Sequence, residues 1–362
     1  MLLGIVLHAA LPYVNMDVPD WPSDKSDSEI ISIIVQFIHL WRMPVFFILS
    51  GFFAHLLISR NGLTHWWKNR VSRILLPLII FSLLMMTTLP WIVKFGYTQK
   101  LEFFYSFEGY PYHLWFLWHL LIFLVLSVIL KLYFLIISKL LIFLKLNKLI
   151  NLLSKTNHYF LKFVFYSKIP IPFILVISIF SLGETGPDLI LNPVLSGLYF
   201  MFGYQIFNNH NLQNIVRTWK YYSLISIFFF VLYTLINIEI IKLDFESHPI
   251  YGIPYILIYN FSSVFFALFF IGLFECKLIN YSKILRIFSD SAYWIYLIHL
   301  PIVAFITFFM FKFDFSIELK FMLSILLTTL ISYISYKYLV RPSYLAVLLN
   351  GKKRKFSWKM FE

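Results

Sequence analysis

Runs of about 20 apolar residues recur from one end of this chain to the other, each able to cross roughly 30 Å of hydrocarbon as a helix. Lipid offers no water to backbone N–H and C=O groups, and a helix satisfies them within one segment. The chain is 60% hydrophobic and 13% charged over 362 residues, with a mean hydropathy of +0.80. That composition excludes a soluble domain of this size. The expected fold is all-α: a polytopic integral membrane protein of about ten transmembrane helices.

The expected spans are Met1–Val14, Ile30–Ile58, Ile74–Val93, His113–Ile137, Ile169–Leu182, Leu189–Phe207, Tyr221–Ile241, Ile253–Phe274, Ala292–Phe311 and Ile317–Leu339. The first holds about 14 apolar residues against the roughly 17 to 25 of a span, so it reads as a truncated first helix with its inner half upstream of Met1. It lacks the basic flank and small-residue cleavage site of a signal peptide. The Lys-rich stretch after span four, with Lys139, Lys145, Lys148, Lys155, Lys162 and Lys168, has periodic Leu and Ile and reads as an amphipathic helix on the membrane surface. Residues 1–345 form one transmembrane domain, and 346–362 a basic tail.

The net charge of +13 sits in the loops. With the connection after span two placed in the cytoplasm, Lys and Arg gather after spans two, four, six and eight and in the tail. The acids gather opposite: the 15–29 loop, Glu102, Glu108, Glu184, Asp188, Asp244, Glu246 and Asp314. This is the positive-inside pattern, with both termini cytoplasmic in an inner (plasma) membrane. It accounts for the basic charge without a nucleic-acid partner. The single Cys276 excludes an intramolecular disulfide and a Cys-rich metal site.

Charge inside a span costs several kcal/mol unless paired or hydrated, so polar residues there are candidates for function. His39 and Arg42 lie three apart in the second span, with Ser50 beyond them. Past that span a short basic loop carries Arg60, Lys68, Arg70 and Arg73. On a helix Arg70 and Arg73 would share one face, suited to phosphate or carboxylate, although ordinary positive-inside charge explains them equally. His8 stands in the first apolar run, where a neutral imidazole is a ready general base near pH 7 or a hydrogen-bonded packing residue. His113, Trp115 and His119 open span four in HLWFLWH; no carboxylate adjoins the two histidines, so no metal site is expected. His299 lies deep in span nine, two residues before Pro301, which frees a backbone carbonyl.

HLWRMPVFFILSGFF, RVSRILLP, HLWFL and SDSAYWIYLIHLP, in this order and spacing, resemble the membrane-bound acyltransferase family 3, and HLWRMP resembles its glucan succinyltransferase branch. The resemblance covers nearly the whole chain. It implies an O-acyltransferase that moves an acyl group from a cytoplasmic acyl-CoA to a hydroxyl of a periplasmic glycan, with no bound cofactor. His8 matches the family's catalytic His, and Arg70 and Arg73 match its Arg-x-x-Arg pair, which would bind the donor. His39, Arg42, Ser50, His113, Trp115 and His299 are candidates to line the cavity. The family's further Arg, eleven residues before the His, falls upstream of Met1. A transporter or flippase for a glycan or lipid-linked sugar is the alternative; it predicts two halves related by a repeat, and the sequence holds none.

Overall fold

The computed structural model describes residues 2–15, 21–106, 112–167, 169–182, 190, 192–207, 211–238, 240, 252–278 and 282–350. Asp17, Asp20, Glu108, Lys168, Glu184, Asp188, Asp244, Glu246 and tail residues 351–362, all used in the charge argument, lie outside the described residues. Within them the regular structure is helical and contains no strand.

Six of the described helices are long and apolar enough to span a membrane: Glu29–Thr98, Tyr112–Phe143, Leu212–Asn237, Gly252–Lys277, Leu285–Met310 and Ile317–Val340. Three expected spans are shorter. The first is α1 (Leu2–Ala10), continued by a 3-10 turn to Tyr13. The fifth and sixth are α5 (Ile171–Phe180) and α6 (Pro193–Ile206), of 10 and 14 residues. At 1.5 Å per residue, ten residues reach about half of a 30 Å hydrocarbon layer. Pro170 and Pro172 hold α5 to that length, because proline enters a helix freely only in its first turn.

The second and third expected spans belong to one element, α2 (Glu29–Thr98). Ser28 caps its start by accepting from the Ile31 amide, and Gln99, at φ 56°, closes its end. The basic stretch expected as a loop is helical on both sides of Gly62, whose φ of 81° and ψ of 163° break the helix. Such a φ strains any L side chain, and Gly62 has open space around it, so backbone conformation alone calls for glycine.

The chain divides into two compact units. Unit 1 comprises Met1–His39, Val71–Trp118 and Asn280–Glu362. In it α1 packs against α9 (Lys283–Met310) and α10 (Ile317–Ser335). Lys320, Ser324, Thr328 and Ser332 form a buried i, i+4 line along α10, and such small hydroxyl side chains let helices approach closely in lipid. Ile92, Phe95, Ala304 and Phe308 make an apolar cluster with Trp21 packed on it.

Unit 2 comprises Leu40–Arg70 and His119–Ile279. Helices α7 (Asn211–Asn237) and α8 (Gly252–Lys277) pack along each other. The unit-2 part of α2 meets α6 backbone to backbone: a Cβ at Gly51 would collide with the Phe200 carbonyl, and one at Gly203 with the Ile48 carbonyl. Ser263, fully buried on α8, donates to Leu40 O at 2.8 Å and pairs with the Tyr199 hydroxyl at 3.2 Å.

Candidate active site

Three histidines from three separate stretches converge in unit 1. His8 comes from α1, His113 from the 3-10 turn Tyr112–Leu114, and His299 from the middle of α9. Ring centroids are 5.3 Å apart for His8 and His299, 4.9 Å for His113 and His299, and 6.4 Å for His8 and His113. His299 is 2% exposed and His113 8%, and His8 is half-buried.

One backbone carbonyl orients two of the rings. Tyr296 O accepts from His113 Nε2 at 2.9 Å and from His299 Nδ1 at 2.8 Å, and Ile295 O also accepts from His299 Nδ1 at 3.1 Å. A carbonyl can only accept, so the hydrogen of neutral His299 is on Nδ1 and its lone pair on Nε2. His113 is the opposite tautomer, with the hydrogen on Nε2. The Tyr296 hydroxyl returns the contact by donating to His113 O at 3.0 Å. Pro301 has no amide to donate to the carbonyl of Leu297, four residues before it; the carbonyl the histidines use is that of Tyr296, one residue earlier.

The surroundings fix the cluster further. Trp21 lies 6.5 Å from His8, ring to ring, and 5.3 Å from Phe308. The loop carrying it is tied down where the Asp24 amide donates to Pro12 O and Ser28's to Tyr13 O. Asp24 also pairs with Lys320 at 2.7 Å, with side chains 5% and 8% exposed. A charge pair this deep is held only when both partners are present. Sequence reasoning placed Asp24 among the outward-facing loop acids and gave Lys320 no role. The available signal was a lone lysine in an apolar span.

On the same face of α9, Tyr293 stacks on Tyr296 with ring planes 9° apart and donates its hydroxyl to Arg73 O. Six residues separate Tyr293 from His299, about 9 Å along the helix axis. The contact with α9 is made by the Arg73 backbone carbonyl. Tyr293 and Tyr296 lie within the SDSAYWIYLIHLP motif, yet reading the sequence assigned them nothing.

The other expected site residues distribute as follows. Trp115, half-buried, starts α3 (Trp115–Phe143) in unit 1. His39 is in unit 1 and exposed. Arg42, Ser50 and Arg70 are half-buried members of unit 2, and Arg73 belongs to unit 1. His119 also belongs to unit 2, where its Nδ1 meets Ser196 Oγ at 2.8 Å. Among the described residues no cluster of His, Cys, Asp and Glu is arranged to hold a metal ion.

Long apolar helices and a histidine cluster define a multi-pass helical membrane protein whose buried polar centre is suited to proton transfer. Residues 1–337 match the model of a family described as an acyltransferase domain. The chain belongs to this family, acyltransferase family 3. Glucans biosynthesis protein C of Salmonella typhi and of Salmonella typhimurium strain LT2 are each 36% identical to it over 106 residues. The protein of that name from Salmonella paratyphi B is 35% identical over the same length. In each case the matched stretch covers 28% of this chain, which spans 25% of the relative's length. No solved structure matches.

Proposed function

We propose that this protein is a membrane O-acyltransferase that moves an acetyl or succinyl group from a cytoplasmic acyl-CoA to a hydroxyl of a glycan beyond the inner membrane. The observation that carries this reading is the convergence of His8, His113 and His299 in a chain of this family. His8 is the general base. It takes the proton of the acceptor hydroxyl as that oxygen attacks the thioester carbonyl carbon. The carbon–sulfur bond then breaks, and the coenzyme A thiolate leaves and takes up the proton. His113, with its hydrogen directed to Tyr296 O, and His299, with its lone pair on Nε2, hold hydroxyl and base in register.

Arg70 and Arg73 bind the donor's phosphates, because guanidinium groups pair with phosphate oxygens in a fixed fork. The loop charges support cytoplasmic termini, which puts the Arg pair on the face where acyl-CoA exists. The glucan-related name of the relatives supports a glycan acceptor.

The test uses the full-length protein in proteoliposomes with labelled acyl-CoA and a soluble glucan. Wild-type protein should transfer label to the glucan. The double variant Arg70→Gln/Arg73→Gln should raise KM for the donor by about 10-fold or more, with a loss that shrinks as salt rises, since screening already weakens charge pairing. Glucan movement across the bilayer without acylation would instead establish the transport reading.

A further inference from the structure

We infer that helix α4 (Asn147–Phe165) lies in the surface of the membrane and binds an anionic lipid leaflet. Its polar face carries Lys148, Lys155 and Lys162, each seven residues apart, so the three line one side of the helix, and all are exposed. The opposite side carries Leu149, Leu153 and Phe160, with Leu152 and Phe163 along its border. These are also exposed, Leu153 by 52% and Phe160 by 55%. An amphipathic helix with its apolar face uncovered by its own chain needs an apolar cover, and its lysines select one that is negatively charged.

The neighbouring elements tie α4 to the ends of two apolar helices. It follows α3, whose far end carries Lys139 and whose last residue, Phe143, is 82% exposed. A tight turn through Lys145, at φ 55°, joins the two helices. At its other end Val164 and Phe165 are buried, Phe165 against the rings of Phe173 and Phe202, and the Tyr166 hydroxyl donates to Gln205 Oε1 at 2.6 Å. The helix thus starts where one apolar helix ends and finishes beside the start of another, α5. No Asp or Glu occurs anywhere from residue 109 to residue 183. This whole stretch is therefore matched to a surface of negative charge, and a zwitterionic one would leave its lysines without a partner.

The experiment uses full-length protein carrying Cys276→Ser, in nanodiscs of phosphatidylcholine with or without about 30% phosphatidylglycerol, the anionic fraction of a charged leaflet. Single reporters are placed by Phe160→Cys on the apolar face and His158→Cys on the polar face. Chain-brominated lipid should quench the reporter at 160 at least about twofold more than that at 158, as for a helix buried to one side. Phosphatidylglycerol should be enriched among lipids retained by the protein, and Lys148→Gln/Lys155→Gln/Lys162→Gln should cut that enrichment by about threefold or more, each lysine near a charged surface carrying up to a fivefold factor. Equal quenching at both positions overturns the proposal. So does a reporter at 160 shielded from lipid and water alike, which would mean a protein partner covers the face, and so does unchanged enrichment in the triple variant. The reporter measurement keeps all three lysines, so it decides the placement of the helix even where the triple variant fails to fold.

Discussion

His113 and His119 stand six residues apart in HLWFLWH, and the fold gives them different surroundings. In unit 1, His113 joins His8 and His299, and its hydrogen goes to a carbonyl that also serves His299. In unit 2, His119 is 3% exposed, bonds the fully buried Ser196 hydroxyl and lies near the rings of Phe47 and Phe123. The same side chain, buried in both places, joins a cluster of titratable rings in one and ties two helices together in the other. The difference teaches that burial of a membrane histidine does not by itself mark function. The proposed function rests on the histidine that has the company of other titratable rings oriented by shared backbone.

The sharpest way to break this contrast is to remove the histidines one at a time. His8→Ala should lower acyl transfer by about 10²- to 10⁴-fold with membrane insertion unchanged. His299→Ala should also act on kcat, whereas His119→Ala should leave kcat within about twofold once the folded fraction is corrected for, and should cost about 1–3 kcal/mol of stability for the unpaired serine. Near-normal turnover in His8→Ala, or a His119→Ala variant as inactive as His299→Ala, would erase the distinction.

The next effect in size concerns the ion pair that holds the Trp21 loop. Asp24→Asn should destabilise the protein by about 3–5 kcal/mol, because Lys320 would remain as an uncompensated buried charge. Adding Lys320→Met should recover much of that loss. Thermal unfolding of both variants in the same detergent checks this, and additive losses would show that the two charges do not depend on each other.

Unit 2 has its own sensitive point, one of packing. Gly203→Ala should cost about 1–3 kcal/mol by forcing α6 away from the Ile48 carbonyl. The expected readout is a lower unfolding temperature with donor KM preserved in the folded fraction. The smallest effect is expected for Ser263→Ala, which loses one hydrogen bond to Leu40 O and should cost about 1 kcal/mol. A change in turnover from either variant, with stability intact, would place function in unit 2 as well.

The sequence by itself determined that this is a helical membrane protein, because long apolar runs admit almost no other structure in lipid. Its motifs also carried the family and singled out His8, His113 and His299, since polar groups stand out against an apolar background. It expected about ten spans, of which six helices are long and apolar enough to cross, while α1, α5 and α6 are shorter, because hydropathy does not say how much of an apolar run is helix. It also read as a loop a basic stretch that is helical on both sides of a single glycine, Gly62. Only the tertiary structure decided which histidines meet, because residues 8, 113 and 299 are distant in sequence and their convergence depends on how α1, α9 and α10 pack. It alone separated His113 from His119, joined Asp24 to Lys320, and set the histidine tautomers through Tyr296 O. Each of these rests on distances of a few ångströms between segments that no local pattern connects.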